Sequence, residues 1–208
     1  MVRSQRERLL AAMADSVAEK GYAKTVVADV LARAGVSRAT FYELFRDKDD
    51  CFRATYEWAA STVASALAEM AKRLRAERRG REDYDPIEQV DRLLDAYLHL
   101  LAGAPSLART FLVEVYAAGP AAVEQRAASL EAFVDLVAEA LGDLPGPLGN
   151  RPEQRFALRL VLGGISSMVT HLVGTGRAEE LPALREPLIA LLCEVTGLQV
   201  RGGSRRTG

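Results

Sequence analysis

The chain has 208 residues, 49% hydrophobic and 26% charged, a globular composition with enough apolar material for one or two packed domains. It holds no phosphate loop, nucleophile elbow or His/Cys metal cluster, and Cys51 and Cys193 lie too far apart in sequence for a metal-type pair. Neither an enzyme nor a metal or cofactor site is therefore expected, and the cysteines read as reduced core thiols. The net charge of −1 hides an asymmetry: residues 1–48 carry +3 and the remainder −4, which suits a front that meets an anion. The opening "MVRSQRERLL" lacks a signal-type apolar run, so the expected compartment is the cytoplasm.

Almost every segment has helical composition and period, giving an all-α chain of about nine helices. Ser4 and Glu7 form a capping box, and Leu10, Met13 and Val17 line one face of the helix that follows, which Gly21 stops. Thr25 is the expected cap of a second helix with Val26, Val27, Val30 and Leu31 inside, ended by Gly35. Ser37 then caps "RATFYELF". Asp47 caps a fourth helix from Lys48 to about Arg78, a run without Gly or Pro.

Residues 78–86 read as a charged loop. Pro86 opens a helix to about Ala102, which "GAP" at 103–105 breaks. A helix to Ala118 follows, then one from "GP" at 119–120 to about Leu141. Residues 142–152 form the clearest loop, and helices at about 153–174 and 183–197 close the fold. The stretch "LVLGGISSMVTHLV" at 160–173 is too short for a membrane span and reads as a buried helix; no membrane is expected as a partner. The tail 201–208 has nothing to pack and reads as disordered.

Two helices joined by "GVS" make a helix-turn-helix. On a wheel of residues 38–45, Phe41, Leu44 and Phe45 share one arc, and Arg38, Ala39, Tyr42 and Glu43 the other. So short a helix is marginal alone and needs tertiary packing; burying each Phe contributes roughly 1.5–3 kcal/mol. Its free N-terminus carries partial positive charge and unpaired N–H groups. It offers Arg38 to guanine or phosphate, Thr40 to a base edge or thymine methyl, and the Tyr42 hydroxyl to phosphate, while small Ala39 allows close approach. Lys48, in the first turn of the next helix, faces a second anion site. Together with Thr25 and Ser37 at the helix ends, this is the layout of a recognition helix in a DNA major groove. Arg3, Arg6 and Arg8 read either as phosphate or minor-groove contacts or as a solvated basic end.

The run from Thr25 through "AGVSRATFYELFRDKDDCF" resembles the N-terminal DNA-binding signature of TetR-family transcriptional regulators over about residues 8–55. Gly21, Thr25, Ala34 to Ser37, Thr40 to Tyr42, Phe45 and Lys48 carry the match. One departure is Leu44, where relatives often place a larger polar or aromatic group; here it reads as core. The resemblance implies a DNA-binding domain at 1–48 and a helical effector-binding and dimerisation domain at 49–200. It implies a homodimer joined through the last two long helices (about 153–197), on a palindromic double-stranded operator. A small-molecule effector would change the separation of the reading heads, most simply releasing a repressor. A helical ligand-binding or scaffolding protein that does not bind DNA is the competing class.

In the body, Trp58, Tyr97, His99, Phe111, Tyr116, Phe133, Met168 and His171 are the candidate lining of an effector pocket, with a hydrophobic ligand expected. Glu114 reads as a solvent-facing carboxylate or as a partner for a cationic ligand. "GGISS" at 163–167 gives either close helix approach across a dimer or room for a ligand. Leu188, Leu191, Leu192 and Val195 form a stripe suited to a dimer seam or to ordinary core.

Overall fold

A computed structural model describes residues 4–78, 85–141 and 151–196. Arg3, most of the two expected loops and the tail lie outside them. The described residues form nine α-helices and no strand: α1 (Gln5–Lys20), α2 (Val27–Ala34), α3 (Arg38–Leu44), α4 (Lys48–Arg78), α5 (Pro86–Gly103), α6 (Pro105–Leu112), α7 (Pro120–Leu141), α8 (Arg151–Gly174) and α9 (Arg185–Thr196). Short 3₁₀ segments, Glu114–Ala118 and Ala178–Leu184, precede α7 and α9.

Local chemistry sets most helix ends. Ser4 N–H donates to Glu7 Oε2 at 2.8 Å, and Glu7 N–H returns to Ser4 Oγ at 3.2 Å, so the expected capping box forms. Ser37 Oγ accepts Thr40 N–H at 3.1 Å, and Asp47 Oδ1 accepts Asp50 N–H at 2.8 Å. Asp85 caps α5 through Ile87 N–H at 2.9 Å, with Pro86 in the first turn. Gly35 ends α2 at φ +60°, a left-handed conformation that a side chain would strain.

Two apolar clusters organise the molecule. The first joins α1, α2 and α3 to the start of α4 through Leu9, Leu10, Met13, Val30, Phe41 and Phe52. Phe41 and Phe45 are buried as expected, with ring centroids 5.6 Å apart. The second cluster begins at Tyr56 on α4 and takes in α5 to α9. In it α5 packs against α4, α6, α7 and α9. Arg185 holds α9 to α5 by paired bonds to Asp91, at 2.7 and 2.6 Å. Trp58 packs against both clusters.

Four expectations are corrected. Thr25 does not cap α2: the helix starts after Val26, whose N–H is taken by Asp29 Oδ2 at 3.0 Å. Leu44 is not core but 39% exposed, because the chain leaves the helix at Phe45, whose extended backbone carries that ring inward instead. The helix expected to reach Ala118 ends at Leu112, and Glu114–Ala118 is a tighter 3₁₀ turn. The 160–173 stretch is buried on one face only, through Leu162, Ile165, Val169, Leu172 and Val173. Pro152–Gly174 is the one helix among the described residues long and apolar enough to span a membrane by length and composition, and 28% of its most apolar window is buried. Phe156 is 70% and Leu160 69% exposed.

Candidate nucleic-acid interface and effector cavity

The N-terminal end of α3 stands free. Ser37, Arg38 and Ala39 are exposed, and Tyr42 is 50% exposed. The Tyr42 ring sits edge-on to the buried Phe41, centroids 5.3 Å apart at 86°, so its hydroxyl end is presented from an anchored base. Thr40 is half-buried, and its hydroxyl lies 3.0 Å from Ser37 Oγ. The start of α3 therefore carries N–H groups, a guanidinium and three hydroxyl-bearing side chains with no carboxylate among residues 37–42.

Thr25 is the expected contact residue that the fold removes from this surface. It is 0% exposed, and Oγ1 donates to the carbonyls of Ser16 at 3.2 Å and Gly21 at 2.9 Å, tying the turn back onto α1. Lys48 is half-buried, with Nζ donating to Tyr22 O at 3.1 Å and lying 4.1 Å from the centre of the Tyr22 ring. Arg6 is exposed and lies over the Phe45 ring at 5.7 Å, and Arg8 is half-buried.

Tyr22 joins this head to the body. Its hydroxyl donates to Asp49, and burial foremost, then that carboxylate, pushes its pKa up. Its N–H donates to Glu114 Oε2 at 2.9 Å. Glu114 is buried and also accepts Arg109 Nε at 3.0 Å; Arg109 Nη1 reaches Gly174 O at 3.2 Å. Both expectations for Glu114, solvent and cationic ligand, are thus replaced by a bridge between α6, α8 and the α1–α2 turn. Sequence pattern gives no sign of a pairing 92 residues apart.

A cavity of about 390 Å³ opens among α4, α5, α6, α7 and α8. Its walls are mainly alanines and aliphatics such as Val63, Leu67, Leu130 and Ile165. Of the expected pocket residues, Tyr97, Phe111 and Phe133 line it. The others do not. Trp58 is packed between the two clusters, and His99, Met168 and His171 are exposed. Tyr116 is exposed on an adjoining open groove with Val123 and Thr170, which shares Arg126, Leu130 and Ser166 with the cavity lining.

Arg126 was not foreseen in the lining, yet it is the one charged side chain there. It is 7% exposed, with Nη2 donating to Ser166 Oγ at 2.5 Å, its guanidinium 4.9 Å over the Phe111 ring, and Nε without a partner. A signal existed: Arg126 precedes Leu130 by four residues and Phe133 by seven, which puts a cation on an apolar helical stripe.

Residues 9–55 match the family model described as bacterial regulatory proteins, tetR family. The whole chain is similar in fold to solved regulators. The fatty acid degradation regulator FadR from Bacillus halodurans has a TM-score of 0.71 at 22% identity, covering 97% of this chain and 100% of that one. The regulator FadR from Bacillus subtilis, solved in complex with stearoyl-CoA, gives 0.70 at 18% identity over 93% and 99% of the two chains. SmeT, repressor of the Stenotrophomonas maltophilia multidrug efflux pump SmeDEF, gives 0.69 at 17% identity over 97% and 96%. No curated protein matches the chain in sequence. The helix-turn-helix, the matched segment and the shared architecture agree: residues 9–55 are similar to the N-terminal domain of bacterial regulatory proteins of the tetR family, and the chain shares the all-helical fold of the solved regulators.

Proposed function

We propose that the protein is a cytoplasmic, ligand-responsive transcriptional repressor that binds a palindromic operator as a homodimer and is released by a small effector. The observation that carries this is the exposed start of α3, with Arg38, Ala39 and Tyr42 outward over the buried Phe41 and Phe45. Arg38 reads a base edge, Tyr42 and Ser37 meet phosphate, Thr40 supports the helix start, and Lys48 adds positive charge behind it. Residues 1–48 are the reading head and 49–200 the body. Thr25 serves by holding the turn, not by touching DNA. The protein acts by occupying a promoter and does no chemistry.

Dimerisation through α8 and α9 is favoured by the exposed stripe of Phe156, Leu160 and Met168, at i, i+4 and i+12, with Gly164 between them. An added Cβ at Gly163 or Gly164 would meet nothing within 4 Å, which leaves space for a second helix. The two recognition helices would then sit in successive major grooves about 34–36 Å apart. The cavity supplies the effector site, and stearoyl-CoA in the FadR structure from Bacillus subtilis is a precedent for a ligand with a long apolar chain in this fold. Moving the equilibrium from 1:99 to 99:1 requires about 5.5 kcal/mol of differential binding.

A gel shift on the DNA upstream of the protein's own reading frame, over a salt series, tests the proposal. Retardation should weaken steeply with salt. Arg38→Ala should cost about 1–3 kcal/mol and relax preference at one base pair of each half-site. Unaltered base preference in that variant would refute Arg38 as a reader. Absence of any sequence-preferring retardation would favour a helical ligand-binding protein instead.

A further inference from the structure

We infer that the cavity takes an amphipathic monoanion, an apolar body ending in one carboxylate-like group, and that Arg126 receives the anion. This rests on the cavity being the effector site, and it narrows the effector from "hydrophobic" to a defined head-group charge.

The cavity has apolar walls and one buried cation. An arginine cannot shed its proton to escape burial, so its charge must be met where it lies. Among the described residues no carboxylate pairs with Arg126. Its contacts are the Ser166 hydroxyl and the Phe111 ring face, a dipole and a quadrupole, and neither neutralises it. Nε has no partner at all. Buried charges are kept in proteins when paired, and an unpaired one carries a heavy desolvation cost. A planar guanidinium is a fork suited to two oxygens of one anion. Tyr97 also lines the cavity, and burial raises the pKa of its hydroxyl to about 12, so it stays protonated. Ser61, Ser129 and Ser166 add hydroxyl-bearing residues to the aliphatic and aromatic wall. A neutral ligand would leave Arg126 unmet, and a cationic one would be repelled.

The test uses the full-length protein and three probes with one tail and three heads: decanoate, decanol and decylamine, compared by calorimetry. Decanoate should bind about ten-fold or more tighter than decanol, as a charge-assisted bond in a dry site implies, and decylamine should not bind. Arg126→Met should remove that preference, with decanol binding at least as well as decanoate. Arg126→Lys, which keeps the charge and loses the fork, should fall between and serves if the Met variant does not fold. Equal affinity for decanoate and decanol in the unaltered protein overturns the inference, as does failure of all three to bind; both are also expected if an acid from a second subunit already pairs with Arg126. A carboxylate preference surviving in a folded Arg126→Met protein overturns it too. The same probes in the gel shift separate this from the repressor proposal. Carboxylate preference with unchanged operator affinity supports the inference and refutes release by effector. Release by decanol as readily as by decanoate does the opposite.

Discussion

Replacing Glu114 by Ala should destabilise the protein by about 3 kcal/mol. Its carboxylate is buried, accepts the Tyr22 N–H at 2.9 Å and pairs with Arg109 Nε at 3.0 Å. A hydrogen bond to a charged group contributes about 1.5–3 kcal/mol, and its loss leaves a buried amide unpaired. The Arg109 side chain is 29% exposed, so its half of the pair is partly solvated and adds about 1 kcal/mol. In a chain of this size, each kcal/mol lowers Tm by about 2–4 °C, so the melting point should fall by about 6–12 °C. Glu114→Gln keeps a carbonyl for Tyr22 and should cost about 1 kcal/mol. Urea unfolding at one fixed protein concentration gives the free energies, and hydrogen exchange at the Tyr22 amide locates the change. An alanine variant within about 0.5 kcal/mol of the parent, with Tyr22 exchange unaltered, would refute the bridge as a stabilising contact.

Gly35→Ala should cost about 1–2 kcal/mol from backbone strain alone: φ is +60° and the nearest side-chain atom to the added Cβ, Arg8 Nη1, is 4.0 Å away. Thermal unfolding checks it, and a neutral result would mean the turn tolerates a side chain. Leu160→Glu, at the most apolar exposed stretch of α8, should yield a folded monomer in sedimentation and abolish operator binding; an unchanged mass would place the dimer seam elsewhere. Burial pushes the Cys51 thiol pKa up to about 12, so iodoacetamide at pH 8 should leave it unmodified until urea unfolds the protein. Rapid labelling of native protein at Cys51 would contradict its packing.

The head was largely legible because its determinants are local. Ser4 with Glu7, Gly35, Ser37 and Asp47 act within four residues of themselves, and Phe41 declares its buried face by period. Thr25 misled because a threonine before a helix has two outlets for its hydroxyl, and here it turns back onto α1 while Asp29 closes the N-terminus of α2. The pocket was legible only in part. Aromatic identity says that a side chain is large, not which way its helix is turned, so Tyr97, Phe111 and Phe133 came out inside and Met168 and His171 outside. Glu114 and Arg126 depend on partners 92 and 40 residues away, beyond any local rule. The apolar surface of α8 follows from hydropathy, yet its exposure could be learned only from the packed chain.

α4 runs through 31 residues without glycine or proline, about 46 Å of unbroken rod. Its first turns pack into the head's core, through Cys51 and Phe52, and about 20 Å further on Val63 and Leu67 form cavity wall. A rod with no joint has little capacity to absorb a sideways push by bending in the middle. Whatever enlarges the cavity against α4 must swing the near end of that lever, and Tyr22, clasped by Lys48 and Asp49 on one side and Glu114 on the other, is where the swing would be felt first.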